Sequence, residues 1–241
     1  MNIYVPDYYV DFHCIASKCK HTCCAGWEID IDEESLTRYE KILGSFGDTL
    51  RQAISHGDSP HFILMNHERC PLLNDENLCE LIIHVGEYAL CQICRDHPRF
   101  RNYFSSRIEM GLGLVCEEAT RIILSQPNPL KLILLEGNGI ESLTDDERYL
   151  LDLRNRWIKS ISFDGPRARL LETLIYRHLP DALYDGRLEE RISFIKHAFE
   201  AITEGWTNDN FFILIDKARE FSDHVEYDDE VLEDWISGNY T

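Results

Sequence analysis

Apolar positions recur at helical spacing through the second half of the chain. Leu150, Leu151, Leu153, Trp157, Ile158 and Ile161 fall on one face of a helix when wound at 3.6 residues per turn. Just before them, Thr144-Asp145-Asp146-Glu147 has the form of a capping box, with a hydroxyl and a carboxylate placed to meet the first free N–H groups. Pro166 suits the first turn of a second helix carrying Leu170, Leu171, Leu174 and Ile175, which Pro180 stops. Residues 187–203 set Ile192, Ile195, Phe199 and Ile202 on one face, and Gly205 ends that helix. Residues 210–225 and 228–236 read as two more. The pattern predicts a small helical bundle.

The first half is less regular. Residues 33–43 and 48–56 read as short helices and 78–96 as a longer one interrupted near Gly86. Residues 100–115 mix Tyr103, Phe104, Ile108 and Met110 with Gly111 and Gly113, which reads as a hairpin or extended segment. The run Leu132-Ile133-Leu134-Leu135 enters an acidic, glycine-rich turn, as the first strand of a nucleotide-binding fold does. No alternating strand–helix series follows it, so the expectation is a helix running into a glycine cap. Gln126-Pro127-Asn128-Pro129 marks the boundary. The expected fold is mainly α: an irregular, cysteine-rich, metal-binding N-terminal region with little β over residues 1–125, followed by a helical domain over 126–241.

Charge narrows the partners. The chain of 241 residues carries 24 Lys and Arg against 43 Asp and Glu, a net charge of −19. Both halves are acidic, so no basic surface is set aside for a phosphate backbone, and nucleic acid is excluded as an expected partner. No apolar run is long enough to span a membrane. The first residues show neither a basic nor an apolar leader region, which implies a cytoplasmic, reducing setting where structural disulfides are rare.

Cysteine is where the chemistry concentrates. The nine fall at 14, 19, 23, 24, 70, 79, 91, 94 and 116, and none follows. Cys14-x4-Cys19-x3-Cys23-Cys24 places sulfurs on tight turns, as a thiolate ligand set requires. The adjacent pair Cys23-Cys24 fits one tetrahedral zinc site poorly, because neighbouring side chains point apart. Cys70-Pro71, Cys79, Cys91-x2-Cys94 and Cys116 add further sulfurs. An all-cysteine set favours zinc or an iron–sulfur cluster over hard cations, and spacing does not choose between those two. Histidine motifs of zinc hydrolases, nucleophile elbows and phosphate loops are absent from the sequence.

Phe12-His13-Cys14-Ile15, Cys19 and Thr22-Cys23-Cys24-Ala25-Gly26-Trp27 resemble the opening of the flagellin lysine-N-methylase (FliB) family. Cys70-Pro71-Leu72-Leu73 with Leu78-Cys79, then Gly86-Glu87, Cys94-Arg95 and Pro98-Arg99, then Cys116 with Glu118-Ala119 and Arg121, follow in the family's order. The resemblance covers residues 1 to about 125. A more distant likeness is to zinc- or iron-chelating cysteine-cluster proteins.

The resemblance implies N-methylation of flagellin lysines with S-adenosylmethionine as donor, in a protein carrying an iron–sulfur cluster or, alternatively, zinc. It implies Cys14, Cys19, Cys23, Cys24, Cys70, Cys79, Cys94 and Cys116 as metal ligands, and leaves Cys91 outside the pattern. It places Glu87 and Arg99 near the centre, with no general base assigned. The three-cysteine spacing of radical S-adenosylmethionine enzymes is absent, so a polar displacement is expected. Two other functions fit the same residues: a non-catalytic zinc- or iron-binding protein, and a helical interaction module stapled by metal.

Overall fold

A computed structural model describes residues 1–57, 59–207 and 210–240. In chain order, strand β1 (Asn2–Pro6) is followed by helices α1 (Glu33–Glu40) and α2 (Gly44–Gln52) and the two-residue strands β2 (Ile54–Ser55) and β3 (His61–Phe62). Next come α3 (Glu80–His84), α4 (Gln92–Asp96), β4 (Arg99–Tyr103), β5 (Arg107–Leu112), α5 (Glu117–Leu124) and β6 (Leu132–Glu136). The rest is helical: α6 (Asp145–Ser160), α7 (Pro166–His178), α8 (Ala182–Asp185), α9 (Leu188–Thr203), α10 (Phe211–Phe221) and α11 (Asp229–Ile236). Contacts divide the chain into two units, one of residues 1–13 with 98–241 and the other of residues 14–97. The boundary expected at 125/126 falls inside the first unit, between α5 and β6.

That unit corrects the expected fold. A four-stranded mixed sheet in the order β4-β5-β1-β6 stands where an irregular region with little β was expected. β1 runs parallel to β5 and antiparallel to β6, which makes the N-terminal segment an inner strand. Leu132–Glu136 is a strand, not a helix entering a cap. Four apolar residues and a glutamate are too few for their period to separate helix from strand; partner strands distant in sequence decide the matter. The turn after β6 is closed by the chain itself. Asn2 accepts from the Asn138 and Gly139 N–H groups, both at 3.1 Å, and donates to Ile140 O at 2.9 Å. Gly137 there has φ +110°, and a Cβ on it would lie 2.2 Å from Asn2 Oδ1, so the turn has no room for a ligand.

The hairpin expected over 100–115 is present as β4 and β5, with Phe100 paired to Gly111. The Phe100 ring lies over that glycine, 2.3 Å from where a Cβ would be, and against Tyr176 at 5.7 Å between centroids. The capping box forms at α6: Thr144 N donates to Glu147 Oε2 at 2.8 Å and Glu147 N to Thr144 Oγ1 at 3.2 Å. The same carboxylate accepts from Ser105 N at 2.6 Å, which fastens the hairpin turn to the helix. Burial opposes its ionisation, yet these hydrogen bonds outweigh it and hold Glu147 below the ordinary carboxylate value.

α7 packs against α5, α6 and α9 and is buried on nearly every side, including Leu170, Leu174 and Ile175. Each such aliphatic side chain contributes about 1.5–3 kcal/mol relative to an exposed one. One turn of π-helix over Ser222–Glu226 follows α10 and carries Glu226 into the interior. There it accepts from His178 Nε2 and Ser222 Oγ and faces Arg177 Nη1 at 3.1 Å. Burial works against the carboxylate, but Arg177 and His178 prevail and bring its pKa down to about 2.

Two consequences can be measured. Glu226→Ala leaves Arg177 uncompensated in the interior, with an expected loss of about 3–5 kcal/mol in urea denaturation at neutral pH. A carboxylate depressed in the folded state contributes fully above the unfolded value of about 4.3 and loses that contribution as pH falls further. Stability should therefore drop between about pH 4.3 and 2 in the wild type. Glu226→Gln should flatten that limb; an unchanged acid profile would contradict the assignment.

Candidate functional site

The unit of residues 14–97 is built from short pieces. Its strands have two residues each and α3 and α4 five each, so side-chain hydrogen bonds do much of the positioning. Asp32 caps α1 by accepting from Ser35 N at 2.9 Å and reaches across to accept from Gln92 N at 2.7 Å, the first amide of α4. Burial disfavours its charge, but these N–H groups more than compensate and keep its pKa below the ordinary value. One carboxylate thus fixes the start of two helices and the position of Cys91, which precedes α4.

The loop from Cys70 to Cys79 is held by Asn74. Its Oδ1 accepts from Glu76 N and Leu78 N at 3.0 and 2.9 Å, and its Nδ2 donates to Glu80 Oε1 at 2.7 Å. Arg69 Nη2 donates to Asn74 O at 2.6 Å. Segment 24–26 lies along 68–70, with Cys70 N donating to Cys24 O at 2.8 Å and Gly26 N to Glu68 O at 3.2 Å. Trp27 Nε1 donates to Cys23 O at 2.7 Å, and its ring stacks on His97.

These constraints bring five thiols into one small apolar core: Cys24, Cys70, Cys79, Cys91 and Cys94. Leu72, Leu73, Leu81, Ile29, Phe62 and Tyr39 fill the rest of it. Cys91 and Cys94 are one helical turn apart and hydrogen-bonded to each other. Tyr39 is fully buried beside them, with its hydroxyl facing Cys91. The hydrogen bond from Cys94 brings Cys91 down to about 7 against the opposing effect of burial, and correspondingly Cys94 is raised. A hydrogen bond from Cys23 likewise brings Cys24 to about 7, with help from Thr22 and the Arg69 charge. Burial, then the negative charges of its sulfur neighbours, pushes Cys70 up to about 12, and burial raises Cys79 too. The group therefore divides into two readily ionised thiols and three that resist ionisation.

Of the eight cysteines expected as ligands, Cys24, Cys70, Cys79 and Cys94 lie in this core. Cys14 and Cys23 are exposed and Cys19 is half-buried, with Cys19 Sγ donating to His21 O at 3.0 Å. Cys116 belongs to the other unit, where it precedes α5. Cys91, which the family pattern left out, is 1% exposed at the centre of the thiol group. Its spacing to Cys94 was visible in the sequence; its burial against Tyr39 was not. Glu87 starts a single 3₁₀ turn between α3 and α4, and Arg99 stacks its guanidinium over the Tyr9 and Phe12 rings in the other unit. All nine cysteines are free thiols. Among the described residues no three His, Cys, Asp or Glu side chains are already arranged to hold a metal ion, so the thiols are neighbours without a closed coordination shell. No helix of the described residues is long and apolar enough to cross a membrane.

Comparison with known proteins finds relatives in three Salmonella strains. The chain is 28% identical to the lysine-N-methylase of Salmonella typhimurium over 141 residues, 53% of this chain and 33% of that protein. It matches the lysine-N-methylase of Salmonella choleraesuis to the same extent. It is 27% identical over 139 residues to the flagellar biosynthetic protein FliU of Salmonella muenchen, covering 53% of this chain and 79% of that one. The chain is thus similar over about half of its length to proteins named lysine-N-methylase and FliU, and the match spans about a third of the lysine-N-methylases. No family model and no solved structure matches.

The thiol ordering is open to a direct check on metal-free protein. Iodoacetamide should alkylate Cys24 with a midpoint near pH 7, while Cys70, buried and held up near 12, stays unmodified until the protein unfolds. Mass mapping that found Cys70 modified as fast as Cys24 in native protein would contradict the arrangement.

Proposed function

We propose that this chain acts in protein-lysine N-methylation, with flagellin as the protein substrate, S-adenosylmethionine as methyl donor, and a cysteine-ligated centre in the unit of residues 14–97. The observation that carries the reading is the similarity to proteins named lysine-N-methylase over about half of the chain. The name of the FliU relative supports a flagellar substrate. In this reading the protein works in the cytoplasm, before its substrate is exported.

The donor set supports a thiophilic centre in kind: five sulfurs in one core, with a buried tyrosine hydroxyl beside them. Cys24, Cys70, Cys91 and Cys94, with Cys79 in the same core, are the residues that would hold it. Such a centre, an iron–sulfur cluster or zinc, supplies positive charge that ionises its thiols and a point to which a ligand can attach. Asp32 and Asn74 would keep the ligand loops in place. Arg69, whose charge already favours the Cys24 thiolate, would offset part of the negative charge of a thiolate set.

Methyl transfer itself is a displacement. A neutral lysine amine attacks the sulfonium methyl, a C–N bond forms as the C–S bond breaks, and the amine must have given up a proton beforehand. The chain's net charge of −19 favours the approach of a lysine-bearing surface. The test is co-expression with flagellin followed by mass spectrometry of its lysine peptides. Methyl-lysine that disappears in the Cys24→Ala/Cys94→Ala variant is the expected result. Unmodified flagellin beside metal-loaded, folded protein would overturn the enzyme reading and favour a non-catalytic metalloprotein.

A further inference from the structure

The first unit contains a cavity of about 700 Å³ that neither the thiol core nor the family resemblance accounts for. That volume lies within the range of small-molecule sites. It is formed by the second half of α6, the connection through Ile161 and Phe163, the first turns of α7, and the segment before β6. Its apolar wall includes Leu130, Leu132, Ile158 and Phe163, and its charged groups are Arg107, Arg154, Lys159 and Arg169 against Asp164 and Glu172. In a chain of net charge −19, four cations around one cavity are a local reversal of sign.

The partners of these groups separate structural cations from available ones. Both terminal nitrogens of Arg154 are taken by the buried Glu109 carboxylate. Arg107 gives Nη2 to Glu109 and faces Glu141, while its Nε is buried without a hydrogen-bond partner. Arg169 is 4% exposed and gives only Nη2 to Glu172 Oε1, at 2.9 Å, with Asp164 at 3.6 Å. Its Nε and Nη1 have no hydrogen-bond partner. The other Glu172 oxygen accepts from Leu130 N at 2.9 Å and not from Arg169. A buried donor left unmet is costly, and two of the side chains that line this cavity carry three of them, two on Arg169 and one on Arg107.

We propose that this cavity binds a small molecule bearing an oxyanion, a carboxylate or a phosphate, on a partly apolar body, with Arg169 as its anchor. The guanidinium supplies charge-assisted donors to the oxyanion, Lys159 adds a mobile cation at the cavity wall, and the aliphatic and Phe163 surface takes the body. The inference stands without the methylation reading, since a phosphate ligand satisfies it; only a preference for S-adenosylhomocysteine would join the two.

Calorimetric titration of the full chain tests it with four probes: adenosine, adenosine 5′-monophosphate, S-adenosylhomocysteine and inorganic phosphate. At least one oxyanion-bearing nucleoside should bind tenfold or more tightly than adenosine, and phosphate should compete with it. A preference for the monophosphate assigns a phosphate ligand, and a preference for S-adenosylhomocysteine a carboxylate. The paired substitution Arg169→Met/Glu172→Gln, which removes both buried charges together, should abolish the preference. Should that variant not fold, Arg169→Lys keeps the charge facing Glu172 while giving up the guanidinium donors, and should weaken binding at least tenfold. Equal affinity for adenosine and the oxyanion probes, absence of binding by all four, or full affinity in the Arg169 variants would overturn the proposal. Since the readout is binding, absence of methyl-lysine on flagellin would leave this result standing, and the converse also holds.

Discussion

Five thiols crowded into one small core are what the unit of residues 14–97 is built around. Among the described residues of the unit 14–97 no strand exceeds two residues and no helix exceeds nine. Elements that short do not hold themselves together in water. What fixes them is the interior they share, and that interior is unusually rich in sulfur. Free cysteine packs as a small hydrophobe, but here burial, with the neighbouring sulfur charges adding to it, drives Cys70 up to about 12, while hydrogen bonds from Cys23 and Cys94 bring Cys24 and Cys91 to about 7. A thiophilic cation reverses that opposition, turning mutual repulsion among thiolates into shared attraction.

The first unit solves a different problem. Its sheet takes in strands from three distant stretches of chain, and buried ion pairs fasten the sheet to the helices. Glu109, fully buried on β5, receives both terminal nitrogens of Arg154 from α6, and the Arg154 guanidinium lies 5.4 Å from the Tyr176 ring centroid on α7. Glu147 caps α6 and binds the hairpin turn with the same two oxygens. Removing one partner from such a pair is costlier than never having it. These interactions therefore specify where the helices dock as well as contributing stability.

Local signals were read well from sequence where they act over one or two turns. The capping box at Thr144, the proline start at Pro166 and the hairpin carrying Gly111 all stand as expected. What escaped is set by long-range pairing. Asn2–Pro6 becomes an inner strand only because β5 and β6 flank it, and Leu132–Glu136 becomes a strand only by lying against β1. An amphipathic count cannot see either partner. The same holds for the thiols. The spacing of Cys91 and Cys94 was plain, but the approach of Cys24 and Cys70 depends on segments 24–26 and 68–70 running side by side. The Arg169 cavity leaves no trace in the sequence at all, since an arginine in the first turn of a helix is ordinarily a solvated one.

The thiolate-ligated centre proposed for the sulfur-rich core of residues 14–97 would show in the composition of the protein as purified. Metal and acid-labile sulfide analysis of the anaerobically purified full chain, with an absorption spectrum, tests it most directly. The expected result is stoichiometric iron with sulfide and a broad visible band, or stoichiometric zinc without colour, lost when Cys91 and Cys94 are replaced by alanine and kept in Cys116→Ala. A colourless protein that melts cooperatively with neither iron nor zinc bound would contradict it.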